Sequence, residues 1–385
     1  MGWDFATAAR IRFGAGTARE AAPAAKEMGS RALLVTGSSP RRAAALVAEL
    51  HKAGVGCTLF AVAGEPAVED VRTGVETARR ERCDVVMACG GGSVVDAGKA
   101  IAALATNPGD VLDYLEVVGR GQPLTQMPAP FIALPTTAGT GSEVTRNAVL
   151  ASPEHRVKAS LRSPWMLPRL AVVDPELTVE VPPAITAATG LDALTQVIEP
   201  FVSVRANAMT DLYCREGMRL AAGALRRAYE NGADLAARTD MAMASLLGGL
   251  ALANAGLGAV HGFAAPIGGM FPAPHGAVCA ALLAPVTRVN LRALRARDAG
   301  GRGLPRYGEA ARIITGKAGA EPEDLLPWLE ALTADLRIPP LSTYGIGEED
   351  LLTLCEKAAR ASSMKGNPIA LGPAELLEAL RAGLE

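Results

Sequence analysis

The chain has 385 residues, a formal net charge of −2 and 49% apolar residues. This length favours two domains over a single core, and the balanced charge offers no basic surface for nucleic acid. The six cysteines form no CxxC pair, which is typical of reduced thiols rather than of a disulfide framework. The N-terminal residues include an early acid and no apolar stretch, so we expect no secretory signal and a cytoplasmic protein.

The first part of the chain alternates short apolar runs with segments of helical composition. Strands are predicted at residues 10–13, 31–36, 56–63, 83–89, 131–134 and 170–173. Helices are predicted between them, at residues 41–51 and 68–81. Strands and helices that alternate in this way predict a parallel sheet with helices on its faces.

A glycine-rich turn follows the strand predicted at 83–89. It reads Gly90-Gly91-Gly92-Ser93 and leads into a predicted helix. Glycines let the backbone approach a ligand closely, and the free amides of a helix start carry partial positive charge. The pyrophosphate of a dinucleotide suits such a place. The turn matches neither the GxGxxG fingerprint nor a Walker P-loop, so a plain strand-to-helix turn is the alternative.

A second polar loop, residues 135–143, follows the strand predicted at 131–134. Its three threonines and one serine offer hydroxyls that can line a polar ligand, and a solvated turn is the alternative. Lys158 lies on a short segment before the last predicted strand. A lone lysine is usually a surface charge, so a functional interpretation of Lys158 depends on its neighbours.

The pattern changes after Pro182-Pro183, which breaks the chain. Helical patterns dominate from there on, so we expect an α/β domain at residues 1–180 and an all-helical domain at residues 181–385. The run from Met241 to Thr287 contains no charged residue and exceeds a bilayer span in length. Its eight glycines and four prolines fit buried helices of a soluble protein better than a membrane span.

Two of the four histidines, His261 and His275, lie in this uncharged run. A histidine in an apolar segment is usually a hydrogen-bonded core residue, but imidazole is also the commonest metal ligand. Asp192 and Gln196 stand at i and i+4 upstream and share one helix face. Helical bundles build metal sites in their cores from a carboxylate and imidazoles on separate helices. A divalent ion there would polarise a carbonyl or alcohol oxygen.

Together these motifs resemble the iron-containing (group III) alcohol dehydrogenase family. The matching motifs occur in the family's order and are Gly90–Ser93 with Asp96 and Lys99, residues 135–143, residues 190–194, His261-Gly262 and Pro274-His275-Gly276. The resemblance implies a Rossmann-like N-terminal α/β domain, an all-α C-terminal domain of the dehydroquinate synthase-like architecture, and NAD(P) and metal in the cleft between them. It also implies a homodimer.

The function that the resemblance implies is an NAD(P)-dependent oxidoreductase that interconverts a small alcohol and its aldehyde or ketone by hydride transfer. The implied metal ligands are Asp192, His261 and His275, with Gln196 as a fourth, and the ion is Fe²⁺ or Zn²⁺. The implied cofactor-binding residues are Gly37, Ser38, Gly91, Gly92, Ser93, Asp96, Thr136, Thr137, Thr140, Ser142, Val149, Lys158 and Leu177. The candidate catalytic residues are His261, His275 and Lys158.

Two departures from the family's pattern leave alternatives open. Gln196 stands where the family has a histidine, and an amide oxygen is a weaker ligand than imidazole for a first-row ion. Ala265 stands where relatives often have a further histidine. A metal-independent reductase of the maleylacetate reductase type is therefore one alternative, in which His261 or His275 becomes the proton donor. A dehydroquinate synthase-like lyase and a catalytically decayed dinucleotide-binding protein are the others.

The residues after the second predicted strand bear on the choice of dinucleotide. Gly37 stands where NAD-preferring relatives tend to place an aspartate, which would bind a ribose 2′-hydroxyl and repel a 2′-phosphate. Ser38 and Ser39, with Arg41 and Arg42 close behind, therefore predict a preference for NADP. The scarcity of basic residues around the two histidines predicts small uncharged alcohols or carbonyl compounds as substrates rather than dicarboxylates.

Overall fold

The computed structural model describes residues 2–385 of the chain. Contacts divide this part into two compact units. The sheet unit comprises Phe5–Thr137 and Gly141–Val179. The helical unit comprises Glu180–Glu385, Ala138–Thr140 and the described residues before Phe5.

The sheet unit is built on a parallel sheet with the strand order β1-β8-β5-β4-β2-β3. Its strands are β1 (Ile11–Phe13), β2 (Arg31–Thr36), β3 (Gly56–Ala61), β4 (Val85–Gly90), β5 (Phe131–Pro135) and β8 (Leu170–Val173). The helices are α1 (Ala21–Met28), α2 (Ala44–Lys52), α3 (Val68–Arg80), α4 (Gly92–Thr106) and the single turn α5 (Val111–Tyr114). This is the α/β fold that the alternation of strands and helices predicts.

The central strands are nearly continuous apolar runs because both faces of the sheet are covered. Successive side chains of a strand point to opposite faces. In β2, Leu33 and Val35 pack in one apolar cluster with residues of α3 and α4. Ala32 and Leu34 pack in a second cluster with residues of α1 and α2. The sheet therefore carries one layer of core on each side.

A small antiparallel hairpin lies outside this sheet and is not predicted by the sequence patterns. It consists of β6 (Asn147–Ser152) and β7 (Val157–Arg162). Both strands alternate buried and more exposed positions, as a half-buried strand does. Alanine and serine fill much of this pattern, so the signal for a strand is weak. Lys158, for which the sequence pattern predicts neither helix nor strand, lies in β7.

The helical unit contains no strand within described residues 180–385. Its helices are α6 (Pro183–Val202), α7 (Ala208–Glu230), α8 (Leu235–Ala255), α9 (Ala259–Met270), α10 (His275–Arg297), α11 (Gly303–Thr315), α12 (Leu325–Asp335), α13 (Leu351–Arg360) and α14 (Pro373–Ala382). The helix α6 begins at the proline pair that breaks the sequence pattern, as expected because proline suits the first helical position. Most residues of α6 are buried, which makes it a central helix of the unit.

The uncharged run forms most of α8, all of α9 and the first part of α10. By length and composition α10 could cross a membrane, but 78% of its apolar window is buried inside the protein. The pair α8 and α9 passes the same test only together, and the two helices are bent by 97° at their junction. Gly256 lies at this junction with a φ of 70°, a conformation that glycine adopts without strain. Burial of this kind is what the core helices of a globular unit show.

Candidate active site

One face of α6 carries the acidic part of the site. Asp192, Gln196 and Glu199 project from the same side of the helix because their spacing is four and then three residues. All three are buried, with 1%, 2% and 5% of their surface exposed. A buried carboxylate needs partners, since burial of an unpaired charge costs far more free energy than burial of a paired one.

Both histidines stand at helix starts that approach α6 closely. A Cβ on Gly258, just before α9, would lie 2.8 Å from Glu199 Oε1. A Cβ on Gly276, next to His275 in the first turn of α10, would lie 2.7 Å from Ala188 O. These two glycines therefore allow the starts of α9 and α10 to contact α6.

Glu199 holds His261 in one orientation. Its carboxylate accepts a hydrogen bond from Val260 N at 2.7 Å and lies 2.7 Å from His261 Nδ1. The Val260 amide is one of the first N–H groups of α9, which have no partner inside the helix, so the carboxylate also caps the helix start. When Nδ1–H donates to Glu199, the Nε2 atom of His261 keeps its lone pair for another ligand.

Four donor atoms meet where α6, α9 and α10 come together. His261 Nε2 and His275 Nε2 lie 3.2 and 3.8 Å from Asp192 Oδ1. Cys279 Sγ lies 3.7 Å from His261 Nε2 and 3.8 Å from His275 Nε2. One ligand atom from each of the four residues lies within 4.8 Å of the others. Three of the residues are buried, whereas 35% of the His275 side chain is exposed.

The electrostatics of this cluster favour a bound cation. Burial alone would lower the pKa of His261, yet the Cys279 sulfur and the Asp192 and Glu199 carboxylates raise it well above its ordinary value. The pKa of His275 is raised in the same way against the effect of burial, by Cys279 and Asp192. Burial would raise the pKa of Asp192, but His275 and His261 hold it below its usual range. Groups that attract protons so strongly also attract a divalent ion.

Gln196 lies one turn after Asp192 but its amide already has a partner. The Nε2 atom of Gln196 donates a hydrogen bond of 2.9 Å to Gly139 O. Gly139 belongs to the short Ala138–Thr140 stretch of the helical unit, and Thr140, a predicted cofactor contact, lies in the same stretch. The amide nitrogen therefore tethers this stretch to α6. A role for Gln196 as a metal ligand stays a prediction.

Sequence reasoning missed two residues of this cluster, Glu199 and Cys279. Glu199 stands seven residues after Asp192, on the same helix face, and Cys279 stands four residues after His275. The helical spacing identifies both residues as neighbours of Asp192 and His275, because side chains at these intervals share a helix face. The absence of a CxxC pair does not bear on a single thiol such as Cys279, which joins ligands from other helices.

In the sheet unit, the glycine turn joins β4 to α4. Gly91 lies just before the first residue of α4, and Val94 N donates to Gly91 O at 2.9 Å. A Cβ on Gly90 would lie 2.6 Å from Val94 Cβ, so this tight turn excludes a side chain there. Gly91, Gly92 and Ser93 are half-buried and stand where the first amides of the helix have no partner inside it. The chemistry of this turn suits a phosphate group.

The other predicted cofactor contacts follow strands that neighbour β4. Gly37 and Ser38 come directly after β2, and Thr136 and Thr137 come at the end of β5. Because β2 and β5 both pair with β4 in parallel, these residues meet the glycine turn at the carboxyl edge of the sheet. Thr136 N donates to Gly90 O at 2.9 Å. Open α/β sheets bind ligands at this edge.

Asp96, Ser142 and Val149 form one hydrogen-bonded group instead of lining an open surface. The Asp96 carboxylate accepts a hydrogen bond from the Ser142 hydroxyl and another, of 2.9 Å, from Val149 N. Buried Lys99 adds hydrogen bonds of 2.9 Å to Ser142 O and to Thr145 Oγ1. These bonds fasten the chain after residue 141 to α4. The predicted contacts of Asp96, Ser142 and Val149 with a cofactor stay predictions.

Lys158 and Leu177 also have partners inside the sheet unit. The Lys158 ammonium pairs with the Glu65 carboxylate, and only 5% of the lysine side chain is exposed. Leu177 follows β8 and packs against the apolar cluster on the α1 and α2 face of the sheet. Lys158 is therefore no solvated surface charge, and its catalytic or cofactor role stays a prediction.

Comparison with known proteins places both units in one family. The model of iron-containing alcohol dehydrogenases matches residues 8–175, and that of the C-terminal part of the same family matches residues 186–384. The 1,3-propanediol dehydrogenase of Klebsiella pneumoniae is 39% identical over 352 residues, which are 88% of this chain and 88% of that protein. A solved structure of a 1,3-propanediol oxidoreductase superposes with a TM-score of 0.91 at 34% identity and covers 100% of both chains. Sulfoacetaldehyde reductase from Bifidobacterium kashiwanohense in complex with NAD⁺ superposes with a TM-score of 0.87 at 31% identity, over 100% of this chain and 99% of that one.

Proposed function

The chain belongs to the iron-containing alcohol dehydrogenase family, and from this premise we propose that it interconverts a small alcohol and its aldehyde or ketone by hydride exchange with NAD(P). It is an oxidoreductase that acts on alcohols, and the lyase and the decayed protein are not favoured. The observation that carries the proposal is the convergence of Asp192, His261 and His275 in the helical unit.

The residues present fit a divalent ion of the kind that the family name implies. One carboxylate and two imidazoles, all within 4.8 Å, form a donor set that holds Fe²⁺ or Zn²⁺ in proteins. We propose that Asp192, His261 and His275 hold the ion. A bound ion supplies Lewis-acid chemistry that stabilises negative charge on the oxygen of the substrate.

The residues around these ligands prepare the site before substrate arrives. Glu199 fixes the ring plane of His261 through the 2.7 Å contact with Nδ1 and so directs Nε2 toward Asp192, where Nε2 would bind the ion. The buried surroundings of Asp192 exclude water from most of the cluster, which strengthens each electrostatic interaction there. His275 is the partly exposed member, so the substrate oxygen approaches on its side.

The sheet unit supplies the second half of the proposal. Gly91, Gly92 and Ser93 bind the pyrophosphate at the start of α4, and Thr136 and Thr137 bind it from the neighbouring strand. The bound dinucleotide supplies the hydride acceptor or donor. The hydrogen bonds of Asp96 and Lys99 keep the chain after residue 141 in place beside this turn.

NADP is proposed as the preferred dinucleotide. After β2 the chain carries Gly37, Ser38 and Ser39 in place of an acid, and Arg41 and Arg42 are exposed close behind. Serine hydroxyls and arginines bind a 2′-phosphate, whereas no carboxylate stands here to repel it. Turnover with NADH and with NADPH at equal concentration tests this choice. A strong preference for NADH would contradict the proposed preference for NADP.

The substrate class, the subunit arrangement and the location are further proposals. The uncharged run around both histidines supports small uncharged alcohols and carbonyl compounds. The homodimer, the cytoplasmic location and the functional boundary at residue 180 follow from the family resemblance and the composition. A panel of primary alcohols, diols, aldehydes and ketones, assayed by NAD(P)H absorbance, tests the function. Absence of turnover across the whole panel, with intact dinucleotide binding, would refute it.

A further inference from the structure

One ligand position of the proposed metal site carries a residue that is already engaged. Gln196 stands where the family resemblance implies a histidine, and its amide nitrogen donates to Gly139 O. Asp192, His261 and His275, from α6, α9 and α10, are the other three proposed donors. The amide oxygen of Gln196 is not engaged by this bond, but it is a weaker ligand than imidazole for a first-row ion, so a stronger fourth donor is sought among the neighbouring side chains.

Cys279 is placed to supply that donor. It stands one helical turn after His275 on α10, so both side chains face α6. Its Sγ atom lies 3.7 and 3.8 Å from the Nε2 atoms of His261 and His275. For a tetrahedral ion, bonds of about 2.0–2.1 Å to nitrogen or oxygen and about 2.3 Å to sulfur set neighbouring donors about 3.3–3.6 Å apart. The observed separations match these within a few tenths of an ångström.

The surroundings of Cys279 differ from those of the other buried cysteines in the described chain. Cys214 on α7 is as deeply buried, but burial is the largest influence on its pKa and raises it far above the usual range. No histidine is among the groups that act on Cys214. Cys279 instead contacts two imidazoles and stands within 4.8 Å of a carboxylate. A thiol that only filled space would not need this polar environment.

We propose that Cys279 is the fourth protein ligand of the metal. It takes over the role of the histidine that the family resemblance implies at the position of Gln196. The thiol loses its proton to solvent as the metal–sulfur bond forms. A thiolate is a softer ligand than imidazole, so the exchange shifts the preference of the site from Fe²⁺ toward Zn²⁺. This inference rests on the proposed metal site of Asp192, His261 and His275.

X-ray absorption at the zinc edge of the wild-type protein tests the ligand without any substitution. The protein is stripped with chelator and reloaded with one equivalent of Zn²⁺. The proposal predicts one sulfur neighbour at about 2.3 Å together with nitrogen and oxygen neighbours at about 2.0–2.1 Å. A shell of nitrogen and oxygen alone would overturn the role of Cys279 and leave the metal-dependent function standing. Failure to take up any metal would overturn the metal site itself.

Two variants loaded with Co²⁺ give a second readout. Wild type and the Cys214→Ala control are expected to show the thiolate-to-cobalt charge-transfer band in the near ultraviolet, and Cys279→Ser is expected to lack it. The affinity of Cys279→Ser for Zn²⁺ should fall by at least about 100-fold, since loss of an outer-shell partner alone costs 10–100-fold. Circular dichroism confirms that the variant is folded. A folded Cys279→Ser protein that keeps the band would contradict the proposal.

Discussion

In the sheet unit the candidate dinucleotide site is made mainly of backbone, whereas in the helical unit the candidate metal centre is made of side chains. The glycine turn at residues 90–92 offers amides at a helix start, and the nearby Asp96 and Lys99 serve to hold a neighbouring segment. In the helical unit, donors from three helices meet in a buried cluster. A backbone site depends on local sequence, while a side-chain cluster depends on residues far apart in the chain.

The two regions should therefore respond to substitution differently. Single changes in the helical cluster remove a ligand or its support, so they should affect metal content and turnover together. Single changes at the glycine turn should affect dinucleotide affinity and leave the metal content alone. The predictions below test this division, beginning with the largest expected effect.

Asp192→Asn should give the largest effect. The change keeps the shape of the side chain but removes the carboxylate that faces both histidines. Several kcal/mol of charge stabilisation at the site are lost with the ion, so kcat/KM should fall by about a thousandfold. Metal analysis of the purified variant and steady-state kinetics measure both losses. Glu230→Gln, which changes an exposed carboxylate, is the control. Normal metal content together with normal turnover in Asp192→Asn would contradict the role of Asp192 in the metal centre.

Glu199→Gln tests the support of a ligand without touching the ligand. The amide can still accept a hydrogen bond from Val260 N, but it loses the charge that holds His261 Nδ1–H. Loss of such an outer partner costs about 10–100-fold in metal affinity. Competition with a chelator of known affinity measures the change. An affinity equal to that of wild type would show that Glu199 only caps α9.

Glu143→Gln tests how the sheet unit tolerates a buried carboxyl beside its polar loop. Burial raises the pKa of Glu143 to about 7 against the weaker opposing effect of Lys99. The folded-state pKa lies above the ordinary value of 4.5. The contribution of protonated Glu143 to the free energy of unfolding is therefore fully present below about pH 4.5 and is lost as the pH rises through 7. Between pH 5 and pH 8 the stability of the variant relative to wild type should therefore rise by about 2–3 kcal/mol.

Urea unfolding of both proteins at several pH values measures this gain. A difference between variant and wild type that stays constant from pH 5 to pH 8 would show that Glu143 keeps its ordinary pKa in the folded protein.

Gly91→Ala should give the smallest effect and the most selective one. The new Cβ would lie 3.4 Å from Thr137 Oγ1, so the fold can accept it, but it fills space that a phosphate needs beside the turn. NAD(P)H should bind about tenfold more weakly, which corresponds to about 1.4 kcal/mol. Fluorescence titration measures the affinity, and metal content should match wild type. Loss of metal in this variant would contradict the separation of the two regions.

The same contrast explains how much the sequence could predict. The parallel sheet and the glycine turn were predicted because apolar runs and local motifs mark them directly. Asp192, His261 and His275 were predicted to meet, but their distances depend on how three helices pack. Glu199 and Cys279 share a helix face with Asp192 and His275, so the sequence could have identified them as neighbours of the site, but their contacts with His261 depend on how the helices pack. The β6–β7 hairpin was missed because alanine and serine give a weak strand pattern.

Removal and restoration of the metal tests the central claim most directly. The protein is stripped with chelator, and turnover of an accepted aldehyde with NADPH is measured as Zn²⁺ or Fe²⁺ is added back. We expect activity to disappear on chelation and to return in proportion to bound ion, reaching its maximum at one equivalent per chain. Unchanged activity after complete removal of metal would contradict the account. His261 or His275 would then act as proton donor in a metal-independent reductase.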